Sequence, residues 1–163
     1  KDVRLKPYQS LFFTALSNGN IEPVFSAPKP DKSFYTEKSY SLLILTGIAS
    51  PNLIYTHLKQ FSKKVEILSF PDHYYYSDSD IQSVMQKFEA LKSDKKIIVT
   101  TEKDSMRLKD LVNLPDDFKM NLYYLPVKVK FLDEGEHEFN KKILNYVGEN
   151  KSNRELRKRK NKR

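Results

Sequence analysis

Three short apolar runs set the frame of this chain: Leu42-Leu43-Ile44-Leu45, Val65-Glu66-Ile67-Leu68-Ser69-Phe70 and Ile97-Ile98-Val99. The first is unbroken, as expected of a strand buried on both faces of a parallel sheet. The pattern predicts strands over Leu42 to Thr46, Val65 to Phe70 and Lys96 to Thr101. Helical spacing fills the gaps between them. Ser50 can cap a helix with Pro51 at its first position, where a missing N–H costs nothing. Leu53, Ile54, His57, Leu58 and Phe61 then share one face. Ser77 with Asp80 three residues on is close to a capping box, and Ile81, Val84, Met85, Phe88 and Leu91 form the stripe behind it. Lys103 to Leu111 reads as a shorter helix.

The flanks read differently. Gln9 to Leu16 and Ile21 to Ser26 are strands on either side of Asn18-Gly19-Asn20, and predict a hairpin or β-ribbon. Pro23 assigns the second of them to an edge, because proline donates nothing to a sheet ladder. Pro28 to Ser39 reads as a linker. Leu122 to Leu125 and Val127 to Leu132 are further strands parted by Pro126, and Phe139, Ile143, Tyr146 and Val147 mark a last helix. Alternating strands and helices imply an α/β fold, a Rossmann-like open, mostly parallel sheet with helices on both faces. The expected organisation is a ribbon over 1–30, an α/β domain over 40–150 and a basic tail over 151–163.

Composition sharpens this only in places. At 163 residues the chain has the size of one domain. It has no cysteine, which removes disulfides and thiolate chemistry. No apolar run approaches the ~18–20 residues that span a bilayer, and no secretion signal opens the sequence. A start at Lys1 reads as a piece of a longer protein. The net charge is +8, yet Lys151–Arg163 holds eight basic residues and one acidic, leaving +1 for the rest. The charge therefore belongs to a tail, read as a solvated, disordered extension or as a contact for anionic lipid or phosphate. A nearly neutral body makes nucleic acid an unexpected partner.

Ligands of open α/β sheets bind outside the carboxyl ends of the strands, and here three predicted strands end in polar residues. Thr46-Gly47 follows the first and Phe70-Pro71-Asp72-His73-Tyr74 the second. Thr100-Thr101-Glu102-Lys103-Asp104 closes the third. His73 is the strongest candidate for proton chemistry. The other reading of Asp72-His73 is a strand end bonded to its own backbone. The Thr-Glu-Lys-Asp cluster reads as a sugar or phosphate contact, or as an ordinary helix start with Thr101 capping and the acids complementing the helix dipole. Tyr74, Tyr75 and Tyr76 offer either stacking surface or packing. His57 reads as a packed histidine and His137 as a solvated one, so no metal site is expected. Gly19, Gly47, Gly135 and Gly148 stand apart. A phosphate-cradling loop needs clustered glycines.

In order along the chain, several segments resemble the tetraacyldisaccharide 4′-kinases, the lipid A 4′-kinases of Gram-negative bacteria. They are Lys6-Pro7-Tyr8-Gln9 with Leu11-Phe12-Phe13, Leu45-Thr46-Gly47-Ile48-Ala49-Ser50-Pro51, Phe70-Pro71-Asp72-His73, Thr100-Thr101-Glu102-Lys103-Asp104 with Arg107-Leu108, and Tyr123-Tyr124-Leu125-Pro126-Val127. The resemblance implies the carboxyl-terminal part of such a kinase, with the P-loop half absent from this sequence. It implies transfer from Mg-ATP to the 4′-hydroxyl of an acylated glucosamine disaccharide 1-phosphate, with no cofactor held by this part alone. His73 matches the family's catalytic histidine. Asp72, Thr46, Gly47, Tyr74, Thr101, Glu102, Lys103 and Asp104 take supporting places. The implied location is the cytoplasmic face of the inner membrane, and the ribbon becomes the connection to the missing half. A non-catalytic sugar-phosphate or partner-binding module is the alternative.

Overall fold

A computed structural model describes residues 3–160, with side chains as far as Asn150. In chain order the first strands are β1 (Thr14–Asn18) and β2 (Glu22–Pro23), then the one-turn helix α1 (Ser33–Thr36). The alternating part holds β3 (Tyr40–Thr46), α2 (Asn52–Leu58), β4 (Ser62–Ser69), α3 (Asp78–Ala90), β5 (Lys96–Thr101) and α4 (Glu102–Lys109). It ends with α5 (Asp116–Asn121), β6 (Leu122–Leu125), β7 (Val127–Phe131) and α6 (Gly135–Lys160). Two compact units result: residues 18–127, and the flanks on either side of them.

The larger unit is the expected α/β sheet. Its strand order is β2-β6-β5-β3-β4, all parallel except β2 against β6. Pro23 does lie on an edge strand. The unbroken apolar runs form the centre, where Leu42, Leu43, Ile44, Leu45, Ile98 and Val99 are fully buried. Alternate residues face opposite sides. Leu43, Leu45 and Ile98 pack with Ile81, Val84 and Phe88 of α3, Leu108 of α4 and Phe118 of α5. Leu42, Ile44 and Val99 pack with Phe34 of α1 and Ile54 and Leu58 of α2. Helices therefore cover both faces.

In the smaller unit β1 pairs with β7. Leu132 donates its N–H to the Phe13 carbonyl at 3.0 Å, and the rings of Phe12, Phe131 and Phe139 meet with centroids 5.3–6.2 Å apart.

Several local expectations need correction. β1 and β2 do not form a hairpin with each other: β1 takes β7 and β2 takes β6. The linker over 28–39 contains α1, because Phe34 is a fully buried core side chain and Asp31 accepts the Ser33 N–H at 2.8 Å. Ser50 does not cap α2; Pro51 occupies that position, with no side-chain cap. Leu53 points away from the apolar face and is exposed. Residues 116–121, which carry no strong helical period, form α5 behind Pro115 with two aspartates in the first turn. The last helix runs to Lys160 instead of ending before the tail, since lysine, arginine and glutamate are good helix formers. The final part of the tail, 161–163, lies outside the described residues.

Candidate functional site

Parallel pairing brings three strand ends together. Thr46 pairs with Ser69 across β3 and β4, and Leu45 with Thr100 across β3 and β5. The Phe70 N–H donates to the Thr46 carbonyl at 2.7 Å, which starts the loop after β4 beside the end of β3. A capping box closes that loop: the Ser77 hydroxyl and Asp80 satisfy each other's backbone N–H groups at the head of α3.

Asp104 ties the ends of β3 and β5 to each other and, through Arg107, reaches the loop after β4. Its side chain is completely buried. Oδ2 accepts the Gly47 N–H at 2.9 Å and the Thr101 hydroxyl at 2.8 Å, while Oδ1 accepts from the Arg107 guanidinium at 3.1 Å. Thr101 in turn caps α4 by accepting the Asp104 N–H at 3.1 Å. A Cβ on Gly47 would sit 3.2 Å from the Tyr76 hydroxyl and 3.3 Å from both Asp104 Oδ1 and the Pro71 carbonyl. This is a close approach that glycine alone makes without displacement.

His73 stands over this base. Its backbone is left-handed, φ 62°, a conformation unfavourable to a residue with a Cβ. Asp72 Oδ1 accepts the His73 N–H at 2.9 Å and the Lys103 ammonium at 3.1 Å, which helps hold that turn. The Lys103 contact is the leading reason that the Asp72 carboxyl titrates below the usual range. Arg107 Nη2 lies 3.1 Å from His73 Nδ1, and Lys103 Nζ lies 3.4 Å from Nε2. Despite these contacts the imidazole is 71% exposed. Thr46 Oγ1, Tyr76 OH and Thr100 Oγ1 are buried with no hydrogen-bond partner among the described residues, and burial raises the Tyr76 hydroxyl pKa.

The structure thus gathers Gly47, Asp72, His73, Thr101, Lys103 and Asp104, with Thr46 buried at the end of β3. Two candidates turn elsewhere. The Tyr74 hydroxyl donates to Asp80 at 3.1 Å and its ring packs on Phe70 and Tyr76, so its face is not offered for stacking. Glu102 reaches the Val127 N–H at 3.4 Å. Arg107 entered the sequence reading only within a matching motif, yet it joins Asp104 to His73. Its spacing held the signal, because Arg107 stands at i+4 from Lys103 and i+3 from Asp104, the two separations at which helical side chains meet. His57 packs edge-to-face on Phe61, and burial lowers its pKa. His137 is exposed at the start of α6.

A mostly parallel sheet covered by helices on both faces, with a cationic cluster around an exposed histidine at its strand ends, defines a Rossmann-like α/β domain. The family model for tetraacyldisaccharide-1-P 4′-kinase matches residues 9–148. The chain belongs to that family. It is 39% identical over 168 aligned positions to the tetraacyldisaccharide 4′-kinase of Bacteroides thetaiotaomicron, covering 99% of this chain and 44% of that protein. The kinase of Phocaeicola vulgatus is 36% identical, with 94% of this chain and 42% of that protein covered. The chain therefore spans less than half the length of these relatives. Its fold is similar to that of Aquifex aeolicus LpxK, solved with ATP, at a TM-score of 0.51 and 21% identity, over 89% of this chain and 38% of that one.

Proposed function

We propose that this chain is the carboxyl-terminal, acceptor-side part of a kinase that transfers the γ-phosphoryl group of ATP to the 4′-hydroxyl of a tetraacylated glucosamine disaccharide 1-phosphate. One observation carries the reading. His73, which the resemblance to the family implies is its catalytic histidine, is exposed at converging strand ends, flanked by Asp72, Lys103 and Arg107, with buried Asp104 holding Arg107.

Phosphoryl transfer is achieved mainly by positioning and by electrostatic stabilisation. The described residues do not fit the nucleotide end of that reaction. They contain no group of three or more His, Cys, Asp or Glu able to hold a metal, and the four glycines stand apart in sequence. In this reading the phosphate loop and magnesium ligands belong to a part of the protein outside this sequence. The residues of this chain act on the acceptor. His73 meets the 4′-hydroxyl, orienting it or taking its proton as the hydroxyl oxygen bonds to the γ-phosphorus and the bond from that phosphorus to the departing ADP breaks. Lys103 and Arg107 hold positive charge beside the anionic reactants. Asp72 and Asp104 fix those cations in place. The proposed location is the cytoplasmic face of the inner membrane, with the basic tail meeting anionic lipid. No helix among the described residues is long and apolar enough to cross a membrane.

The test is steady-state kinetics of the full-length enzyme with His73→Ala. A positioned histidine contributes ~10²–10⁴ in rate, so kcat falls by that order while ATP affinity holds. Unchanged turnover removes His73 from the mechanism and favours a sugar-phosphate-binding module.

A further inference from the structure

His73 has two ring nitrogens and three charged neighbours, and the donors among them cannot all be satisfied together. A guanidinium only donates, and so does an ammonium. Arg107 Nη2 is 3.1 Å from Nδ1, whereas Lys103 Nζ is 3.4 Å from Nε2 and already donates to Asp72 Oδ1 at 3.1 Å. A neutral imidazole carries one proton and accepts at one nitrogen. The shorter contact, from the cation without a better-placed carboxylate beside the ring, assigns the acceptor to Nδ1. Nε2 then carries the hydrogen, on the side of Asp72 Oδ2 at 3.6 Å.

Arg107 is not free to drift. Its other terminal nitrogen donates to Asp104 Oδ1 at 3.1 Å, and its side chain is only 20% exposed. Asp104 is itself held by Gly47 after β3 and by Thr101 at the end of β5. The connected groups therefore run from the sheet to the ring: backbone of Gly47, Asp104, Arg107, His73.

We propose that Arg107 is the positioning residue of His73: oriented by buried Asp104, it occupies Nδ1, leaves Nε2 on the side of Asp72 and Lys103, and holds the neutral ring in its Nε2–H tautomer. This deepens the kinase reading and rests on it for its catalytic consequence. The ring state itself is independent of that reading. With Nδ1 occupied and Nε2 protonated, the ring meets the acceptor as an Nε2–H donor that orients it; the neutral ring takes up a proton only at Nδ1, once the Arg107 contact there opens.

The decisive experiment is ¹⁵N NMR of the histidine-labelled 163-residue chain at about pH 8, where an ordinary imidazole is neutral. The His73 spectrum is expected to show a pyridine-like Nδ1 and a pyrrole-like Nε2. In Arg107→Met the two signals move toward a mixture of tautomers, and Arg107→Lys restores part of the bias. The His57 and His137 signals stay fixed and report an intact fold. An Arg107→Met chain that is folded and keeps the wild-type His73 tautomer overturns the proposal. A second arm measures the full-length enzyme carrying Arg107→Met. There kcat is expected to fall about tenfold or more with KM for the disaccharide within about twofold. A changed tautomer with unchanged kcat supports the positioning of His73 and overturns its catalytic consequence; an unchanged tautomer overturns the positioning whatever the activity.

Discussion

Asp104→Ala removes the acceptor that joins the ends of β3 and β5 and holds Arg107. The change deletes hydrogen bonds from the Gly47 N–H at 2.9 Å, the Thr101 hydroxyl at 2.8 Å and the Arg107 guanidinium at 3.1 Å. Each bond to a charged acceptor is worth ~1.5–3 kcal/mol, and donors left buried add their own desolvation cost. Removing one partner of a buried ion pair costs ~3–5 kcal/mol. Arg107 retains 20% exposure and recovers some hydration, which places the expected loss near the lower end, about 3 kcal/mol. At a urea slope of ~2 kcal/mol/M the unfolding midpoint falls by roughly 1.5 M. The assay is urea unfolding followed by far-UV circular dichroism. Asp104→Asn is expected to lie between the two proteins, because its amide oxygen can still serve Gly47 and Thr101 while its N–H groups oppose Arg107. A loss below ~1 kcal/mol for the alanine variant, with the slope unchanged, refutes the view that Asp104 anchors the site.

Three other outcomes follow from the same geometry and charge. Gly47→Ala places a methyl group 3.2–3.3 Å from Tyr76, Asp104 and the Pro71 carbonyl; overpacking there is expected to cost ~1–3 kcal/mol, read as a lower thermal midpoint, and an unchanged midpoint refutes the close packing. Asp80 is held below its usual carboxyl range, chiefly by the Ser77 hydroxyl, so its contribution is complete above the unfolded value of 3.8 and fades as pH falls through the folded value. Asp80→Asn is accordingly about 1 kcal/mol less stable at neutral pH, and urea midpoints of the two proteins should converge in acid; a gap constant with pH contradicts the capping box. Deleting Lys151–Arg163 removes eight basic residues and one acidic, and should weaken binding to anionic vesicles in a sedimentation assay, at ~1 kcal/mol for each basic residue held near the surface. Undiminished binding rules out the tail as the lipid contact.

Features governed by neighbours in the chain were legible in advance. The run Leu42 to Leu45 announces a central strand because its residues alternate between two buried faces, and the Ser77–Asp80 box satisfies backbone groups within one turn. Features governed by distant residues were not. The partners of β1 and β2 are β7 and β6, about a hundred residues away in sequence. Phe34 makes a helix of an apparent linker only because a core cavity receives it. At the site, Asp104 fits a local helix-start reading, and Thr101 does cap α4. The bond that makes it an anchor comes from Gly47, 57 residues earlier. Arg107 was within reach, since its helical spacing from Lys103 and Asp104 places three charges together. What remained hidden was the loop carrying His73, whose left-handed turn lowers the ring onto them.

The central claim is that this chain performs the acceptor-side work of a tetraacyldisaccharide 4′-kinase. It is tested most directly by a chimera in which these residues replace the matching 44% of the Bacteroides thetaiotaomicron enzyme. Transfer of label from γ-³²P-ATP to tetraacyldisaccharide 1-phosphate is then measured in detergent micelles. The account predicts a labelled product whose formation drops by ~10²–10⁴ with His73→Ala. A folded chimera that transfers no label, or one that works equally well without the His73 imidazole, contradicts it.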